Sequence, residues 1–556
     1  MIKISKNNLK KGIPLNAKKS LKILALTGRA AESIIRQFLT SNIDLKVLPI
    51  DVAAFVNKRI ILDNINKKDA KKYDLIIVPG LVQDDLSSLE AELGVKVVKG
   101  SRYASDIKSV LEGLDPSSLS PIIAADKLLK MKKSKQSQEI LNAGFNKPIN
   151  LEVGEFYLGQ KNNFIVGINR PPLVSAEIVD ATITTEEKII ARAKYYLKNG
   201  ANVIDIGTVA SNPQPEKVKL IVKALKALKN DYNFIISIDS LDVEEIHTAI
   251  TSGIELILSI DHGNVEFLID DLQSDIGLVI LPTNVKKGII PKNSRERVES
   301  LITLRNQLKS AGYYKIFSDP IIEMPIYPGF TNSLANYIEY RKIDSVTPMM
   351  TCFGNVTEFI EADPIGINVL LSCIAVELGI QLLLVTDVSV KCRGGIKEIV
   401  RARDMAFVAK NKNAPPKDLG LDLLMAKSKT ANDIDILKIK PEESLEVKCQ
   451  NPEIIYDEHY EPDPKGNFHI WIDYHKQEIY VLHLDSKTNK PDILLYSIKA
   501  KSLMDEIFKR KLVSKLDHAY YLGRELERAE VCLYLGKTYI QNKQTFKDED
   551  NHSNVS

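Results

Sequence analysis

Between Phe164 and Thr386 the chain repeats one pattern: a short, almost wholly apolar run followed by a stretch with helical periodicity. The runs are FIVGI from Phe164, NVIDI from Asn202, FIISI from Phe234, LILSI from Leu256, GLVIL from Gly277, KIFS from Lys315, the weaker SVTPMMT from Ser345 and LLLVT from Leu382. Segments between them, such as EKIIARAKYYLKNG (Glu187–Gly200) and DVEEIHTAITSG (Asp242–Gly253), carry the apolar spacing of amphipathic helices. Parallel strands covered on both faces read as continuous apolar runs. Eight strand–helix units in about 250 residues make a (β/α)8 barrel the expected fold. An open doubly wound sheet is the alternative, because periodicity does not report closure.

The flanks differ. Residues 1–147 begin with a polar, basic lead-in of 20 residues. Strand-like runs follow at LKILALTG (Leu21–Gly28), LKVLPI (Leu45–Ile50), DLIIVPG (Asp74–Gly80) and VKVVKG (Val95–Gly100), with a helix through Ile35 and Phe38. That rhythm predicts a small doubly wound α/β domain of the Rossmann or flavodoxin type. Thr27-Gly28-Arg29 can hold an anion at a helix N-terminus, but without G-x-G-x-x-G or a P-loop a plain βα turn is the favoured reading. A linker rich in Lys, Ser and Gln (Lys130–Gln138) leads to a barrel domain at 148–427, which ends near PPKDLGLDLL (Pro415–Leu424). Residues 428–556 read as a small α+β module with a polar tail: a period-two hairpin, GNFHIWIDYHKQEIYVLHL (Gly466–Leu484), then a long amphipathic helix (Leu512–Gly536).

Composition narrows the function classes. Lys and Arg number 75 against 72 Asp and Glu, a net charge of +3, which gives no global case for nucleic acid or an anionic membrane. No run approaches the length of a membrane-spanning helix, and no signal-peptide block follows the basic start. The five cysteines (Cys352, Cys373, Cys392, Cys449 and Cys532) show no C-x-x-C pair, and each reads as a small apolar filler. Only Cys392, beside charged residues, stands out. A reducing cytoplasm is the expected compartment.

Barrel active sites are built at the C-terminal ends of the strands. The residues there form a non-random set: Asp205, Asp239, Ser259 and Asp261, Asp319 and Asp387, with Asn169 and Asn355 after the first and seventh runs. Carboxylates and amides gathered at one mouth suit a ligand rich in N–H donors, such as the 2-amino and N3 edge of a pterin. Mg2+ is the competing ligand for such oxygens. No residues are assigned to a metal. Any single strand-end Asp can instead cap a helix or close a turn.

NGANVIDIG (Asn199–Gly207), FIISIDS (Phe234–Ser240), IELILSID (Ile254–Asp261), SDP (Ser318–Pro320) and LLLVTDV (Leu382–Val388) resemble, in order, the motifs of the pterin-binding barrels. That superfamily includes dihydropteroate synthase and the methyltetrahydrofolate- and methyltetrahydropterin-dependent methyltransferases. The stretches Asp387–Ala406 and Pro416–Lys427 resemble the archaeal branch called dihydropteroate synthase-related. Asp517–Glu530 resembles a module associated with a subunit of the methanogen methyltransferase complex. The resemblance implies that Asp239 and Asp319 hold the pterin ring, with Ser259 where the family usually has Asn. It implies a reduced pterin of the tetrahydromethanopterin or folate type as cofactor, a corrinoid on a partner protein as one acceptor, and is compatible with a homodimer.

Departures from the synthase pattern are informative. Asn169 is followed by Arg170-Pro171-Pro172-Leu173 instead of Asp-Ser-Phe, and Ala210-Ser211-Asn212-Pro213 replaces Ser-Thr-Arg-Pro. Phe353-Gly354-Asn355 replaces Ser-Arg-Lys, and the Arg and His of strand eight are Leu384 and Thr386. Most of the synthase's pyrophosphate handling is therefore missing. Gly354-Asn355-Val356-Thr357 is closer to the Ser-Asn-Val-Ser of the methyltransferases, which casts Asn355 and Asp319 as catalytic. Lys391, Arg393 and Gly394, in the loop after the eighth run, are candidates with Asn169 for a phosphorylated cofactor tail. His518 is expected to be a hydrogen-bonded interface residue, and Tyr520, Tyr521 and Leu522 a packed helix face.

Overall fold

A computed structural model of the chain describes residues 21–546 except 38, 105–109, 111–112, 161–162, 427–462 and 544. The lead-in, Phe38, Cys449 and the end of the polar tail lie outside the described residues.

Near the N-terminus four parallel strands form one sheet: β1 (Ile23–Thr27), β2 (Ile43–Val47), β3 (Leu75–Val78) and β4 (Lys96–Lys99), in the order β2-β1-β3-β4. Alternate residues feed two separate cores. Leu24, Leu26, Ile76 and Val78 pack on one face, and Ile23, Ala25, Leu75 and Ile77 on the other. Burial of both faces is why these runs are uniformly apolar. The Gly28 turn is a packing turn. Arg29 and Ala30 donate their N–H groups to the Ile50 and Asp51 carbonyls, and a Cβ on Gly28 would sit 2.7 Å from the Asp51 oxygen. The segment read as a linker is helical, inside Ala125–Asn146. Lys, Gln and Ser without Gly or Pro do not interrupt a helix.

The central architecture is a closed barrel of eight parallel strands. They are β7 (Leu173–Ile178), β8 (Val203–Gly207), β9 (Ile235–Asp239), β10 (Leu256–Ile260), β11 (Gly277–Ile280), β12 (Ile316–Ser318), β13 (Met349–Cys352) and β14 (Ile380–Val385), with β14 pairing back onto β7. Closure decides between the two folds that the periodicity allowed. Helices follow the strands as expected. Asp242 caps Val243–Ser252 by accepting from Glu245 N, and Gly253 at φ 84 ends it.

One strand assignment differs. FIVGI is not the first barrel strand: Phe164–Val166 is β6, which pairs antiparallel with β5 (Phe156–Leu158) in a hairpin. Phe156, Leu158 and Val166 pack with Leu173, Val203, Ile235 and Leu256, which begin their strands, so the hairpin fills the N-terminal end of the barrel. The true first strand is LVSAEI, straight after Pro171-Pro172. Asn169 consequently precedes strand one and is exposed at the N-terminal end of the barrel. Arg170 beside it is a floor residue. It is ion-paired with buried Glu155 at 2.6 Å and donates to the Lys147 and Pro148 carbonyls at 2.7 and 2.8 Å.

The C-terminal module has the expected hairpin, β15 (Gly466–Asp473) and β16 (Glu478–Asp485), and adds a third strand, β17 (Pro491–Ser497). Phe468, Ile470, Ile479 and Val481 bury against Leu503 and Ile507 of helix Ala500–Lys509 and against Leu522 and Leu526 of helix Leu516–Leu535. His518 is buried, 3.4 Å from Asp463 and edge-on to Phe468, while Tyr520 is exposed, so only Tyr521 and Leu522 belong to the packed face.

Candidate functional site

Alternation along the strands chooses what lines the barrel. On β8, Val203 faces the interior and Ile204 and Ile206 face the helices, so Asp205 and Gly207 face inward. On β9, Ile235, Ser237 and Asp239 do the same, and on β7, Leu173, Ser175 and Glu177. Register then sets Glu177 beside Asp205, Asp205 beside Ser237, and Gly207 beside Asp239. The result is a knot of three carboxylates: one oxygen from each of Glu177, Asp205 and Asp239 lies within 4.8 Å of the other two.

Each acid is held in place. Ser237 Oγ donates to Asp205 Oδ1 at 2.5 Å, and Ser259 Oγ donates to Asp239 Oδ1. The pairing of β10 with β11 shifts register between Ile257 and Ile260, and this bulge lies where Ser259 turns toward Asp239. Glu177 needs Gly207, because a Cβ there would lie 2.3 Å from Glu177 Oε1. Asp319 follows β12, and its Oδ1 accepts from Tyr337 OH at 2.7 Å and Ile321 N at 2.8 Å.

Burial dominates the electrostatics. It pushes Glu177 up to about 7, reinforced by the charges of Asp239 and Asp180. It drives Asp205 well above the carboxylate range, again with Asp239 and Glu177 adding to the effect. Asp239 is raised by burial against the opposing Ser259 hydrogen bond. Burial raises Asp319 to about 6, opposed mainly by Tyr337, and Asp239 pushes it further. Asp239 thus acts on all three other acids, Asp319 included. Two carboxylates about 4 Å apart repel by roughly 4 kcal/mol at an effective dielectric of 20. Such a cluster calls for protons, N–H donors or a cation.

Two further groups stand beside the acids. Asn355, in the short helix Gly354–Thr357 after β13, donates Nδ2 to the Ile322 carbonyl at 2.9 Å. Cys352 accepts from the N–H groups of Asn355 and Gly354, and burial pushes its thiol up to about 12, with Glu177 and Asp319 adding to the rise.

Other sequence candidates are placed differently. Asp261 is buried and saturated, accepting from Gly263 N at 2.7 Å, Asn264 N at 3.2 Å, Thr283 Oγ1 at 3.0 Å and Val285 N at 2.7 Å. It closes its own loop, the turn role open to any strand-end Asp. Burial raises Asp387 to about 7, but the charges acting most on it are Arg393, Glu398 and Arg192, none of them in the cluster. Lys391 Nζ is held by the carbonyls of Glu358 and Ile360 at 2.8 and 2.7 Å. The Arg393 guanidinium lies 4.0 Å over the Tyr474 ring of the C-terminal module. Gly394, at φ 87, precedes helix Gly395–Asn411, and its N–H points to Asp387 at 3.5 Å. The strand-eight loop is therefore braced by its neighbours.

Sequence reasoning missed Glu177, Ser237, Tyr337 and the placement of Cys352. Glu177 was readable: LVSAEI is a six-residue run with an acid near its end, concealed by the preceding Pro-Pro. Tyr337 carries no local signal, because its role arises only when helix Phe330–Ile343 packs against β12.

Comparison with known proteins agrees with this mouth. Residues 177–320, from Glu177 to just past Asp319, match the family described as pterin binding enzyme, and residues 462–542 match one described as PterinBD-DUF4346. An uncharacterized Methanocaldococcus jannaschii protein is 35% identical over 541 residues, covering 95% of this chain and 99% of that one. The chain is a dihydropteroate synthase-related, pterin-binding barrel protein. Dihydropteroate synthase of Streptococcus pyogenes is 24% identical to this pterin-binding barrel over 264 residues, 43% of this chain and 95% of the enzyme. Among solved structures, Xanthomonas albilineans dihydropteroate synthase in complex with 7,8-dihydropteroate aligns with 18% identity and a TM-score of 0.34, covering 47% of this chain and 99% of that one.

Proposed function

We propose that this pterin-binding barrel is a one-carbon transferase that takes a methyl group from a reduced pterin of the tetrahydromethanopterin or folate type. The observation that carries the reading is that the charge of Asp239 acts on Asp319, and that Asn355 sits beside Cys352, on which Asp319 also acts. Asp319 and Asp239, with Ser259, accept hydrogen bonds from the amidine-like edge of the ring. Asn355 has its Nδ2 engaged by Ile322, so its amide oxygen is the atom left for the ligand. An acceptor suits a ring nitrogen that carries a proton, and protonation gives that nitrogen the positive character needed for the methyl to leave. The acceptor is a corrinoid on a partner protein or a thiol.

One observation weighs against a synthase-type condensation of a hydroxymethyl-dihydropterin diphosphate with an arylamine. Of the two cations best placed in sequence to replace the missing pyrophosphate groups or to hold a phosphorylated tail, Lys391 is engaged by the Glu358 and Ile360 carbonyls, while Arg393 lies over Tyr474 with its Nη1 unpartnered among the described residues. A leaving pyrophosphate needs free donors. A non-catalytic carrier is the outcome if the pterin binds and nothing turns over.

The test is single-turnover demethylation of a methylated reduced pterin in the presence of a free corrinoid or thiol. Asn355→Ala is expected to slow transfer by about 100-fold while changing pterin affinity less than about fivefold. Binding with no methyl loss to any acceptor overturns the transferase reading. Release of pyrophosphate from a pterin diphosphate, dependent on Lys391 or Arg393, replaces it with the synthase reading.

A further inference from the structure

We propose that Glu177, Asp205 and Asp239 form a binding site for a hard divalent cation at the mouth of the barrel. The three carboxylates come from consecutive strands β7, β8 and β9, and one oxygen from each lies within 4.8 Å of the others. Around a Ca2+ with bonds of about 2.3–2.6 Å, opposite oxygens are about 4.6–5.2 Å apart and adjacent ones are closer, so the span fits without rebuilding the strands. Mn2+ and Mg2+ need only a small contraction. All three donors are carboxylate oxygens, which suit Mg2+, Mn2+ or Ca2+ better than Zn2+ or Cu2+.

A second observation concerns Asp205 alone. Its side chain is completely buried, Ser237 engages only Oδ1, and Oδ2 has no hydrogen-bond partner among the described residues. Buried carboxylate oxygens are otherwise almost always satisfied. The charges that act most on Glu177 and Asp205 are those of Asp239, Asp180 and Glu177, all negative. Gly207 opens the space that lets Glu177 reach the cluster. Ser237 and Ser259 each fix one oxygen of their aspartate and leave the other free, the arrangement by which outer groups orient metal ligands. A cation here offsets the mutual repulsion of the three carboxylates.

Asp239 is common to this site and to the pterin reading, and because the metal alone is the probe the two can fail separately. The full-length protein, freed of metal by chelator, is titrated with Mn2+, and free Mn2+ is followed by electron paramagnetic resonance. One Mn2+ per chain is expected, displaced by Mg2+ or Ca2+. Glu177→Gln and Asp205→Asn should each weaken it at least about tenfold, and Gly207→Ala should weaken it by crowding Glu177 out. Asp271→Asn, at an exposed position paired with His247, should bind as the wild type does. Absence of a stoichiometric Mn2+ site in the wild-type protein overturns the proposal, and so does unchanged affinity in Glu177→Gln. Should Asp205→Asn fail to fold, those two measurements still decide it.

Discussion

Asp319 shows how one side chain is oriented by a partner 18 residues away in sequence. Tyr337 and Ile321 both donate to Oδ1, which orients the carboxylate and opposes the rise that burial causes. Tyr337→Phe removes one of those donors, a loss of about 1 kcal/mol. We expect pterin affinity to fall about fivefold, and the pH at which it is half lost to move upward from about 6, measured by fluorescence titration between pH 5 and 8. An unchanged midpoint would show that Asp319 is not the titrating acceptor. The contrast with Asp261 and Asp387 shows the limit of sequence at single positions. All three are acids at strand ends, but hydrogen bonds saturate Asp261 and different charges surround Asp387. Those differences depend on neighbouring loops that no local pattern encodes.

Secondary structure was far more legible, because continuous burial writes itself into composition. Seven of the eight apolar runs fall on barrel strands, and Glu186–Lys198 and Val243–Ser252 are helices where the spacing placed them. FIVGI is apolar for another reason: it plugs the barrel floor, and a plug and a strand look alike when both are buried. The floor also contains a buried ion pair. Arg170→Met leaves Glu155 uncompensated and should destabilise the protein by about 3–5 kcal/mol in urea unfolding, while adding Glu155→Met should recover most of the loss. At the opposite end the C-terminal module braces the strand-eight loop. A Cβ at Gly536 would sit 2.7 Å from the Arg393 carbonyl, at a φ of +70 that already disfavours a side chain. Gly536→Ala should therefore cost about 1–2 kcal/mol and raise hydrogen exchange at residues 388–394; unaltered exchange there would contradict the brace.

Across the whole chain, the buried acids govern how stability depends on pH. Glu177 and Asp387 are raised to about 7 and Asp319 to about 6, so each favours the folded state below its unfolded value near 4 and loses that contribution as pH rises through 6–7. The shifts correspond to at most about 3–4.5 kcal/mol each. Asp344 is the opposite case. Burial raises it, but hydrogen bonds from Thr347 and Val346 and the Arg305 charge outweigh that and hold it down at about 2, so its contribution is present above about 4 and lost as pH falls toward 2. Urea stability of the ligand-free protein should therefore be higher at pH 5 than at pH 8 and fall below pH 4. A profile that rises steadily to pH 8 would show that the acids are already compensated. The barrel was visible in the sequence, whereas the proximity of Glu177 to Asp205 and Asp239 came from register alone.

The most direct measurement is a calorimetric titration of the full-length protein with a reduced pterin, repeated on Asp239→Asn and Asp319→Asn. Binding at one site per chain, weakened at least about tenfold by either substitution, is expected if paired carboxylates read the ring's donor edge. Wild-type affinity retained in both variants, or no binding by the wild-type protein, would contradict it.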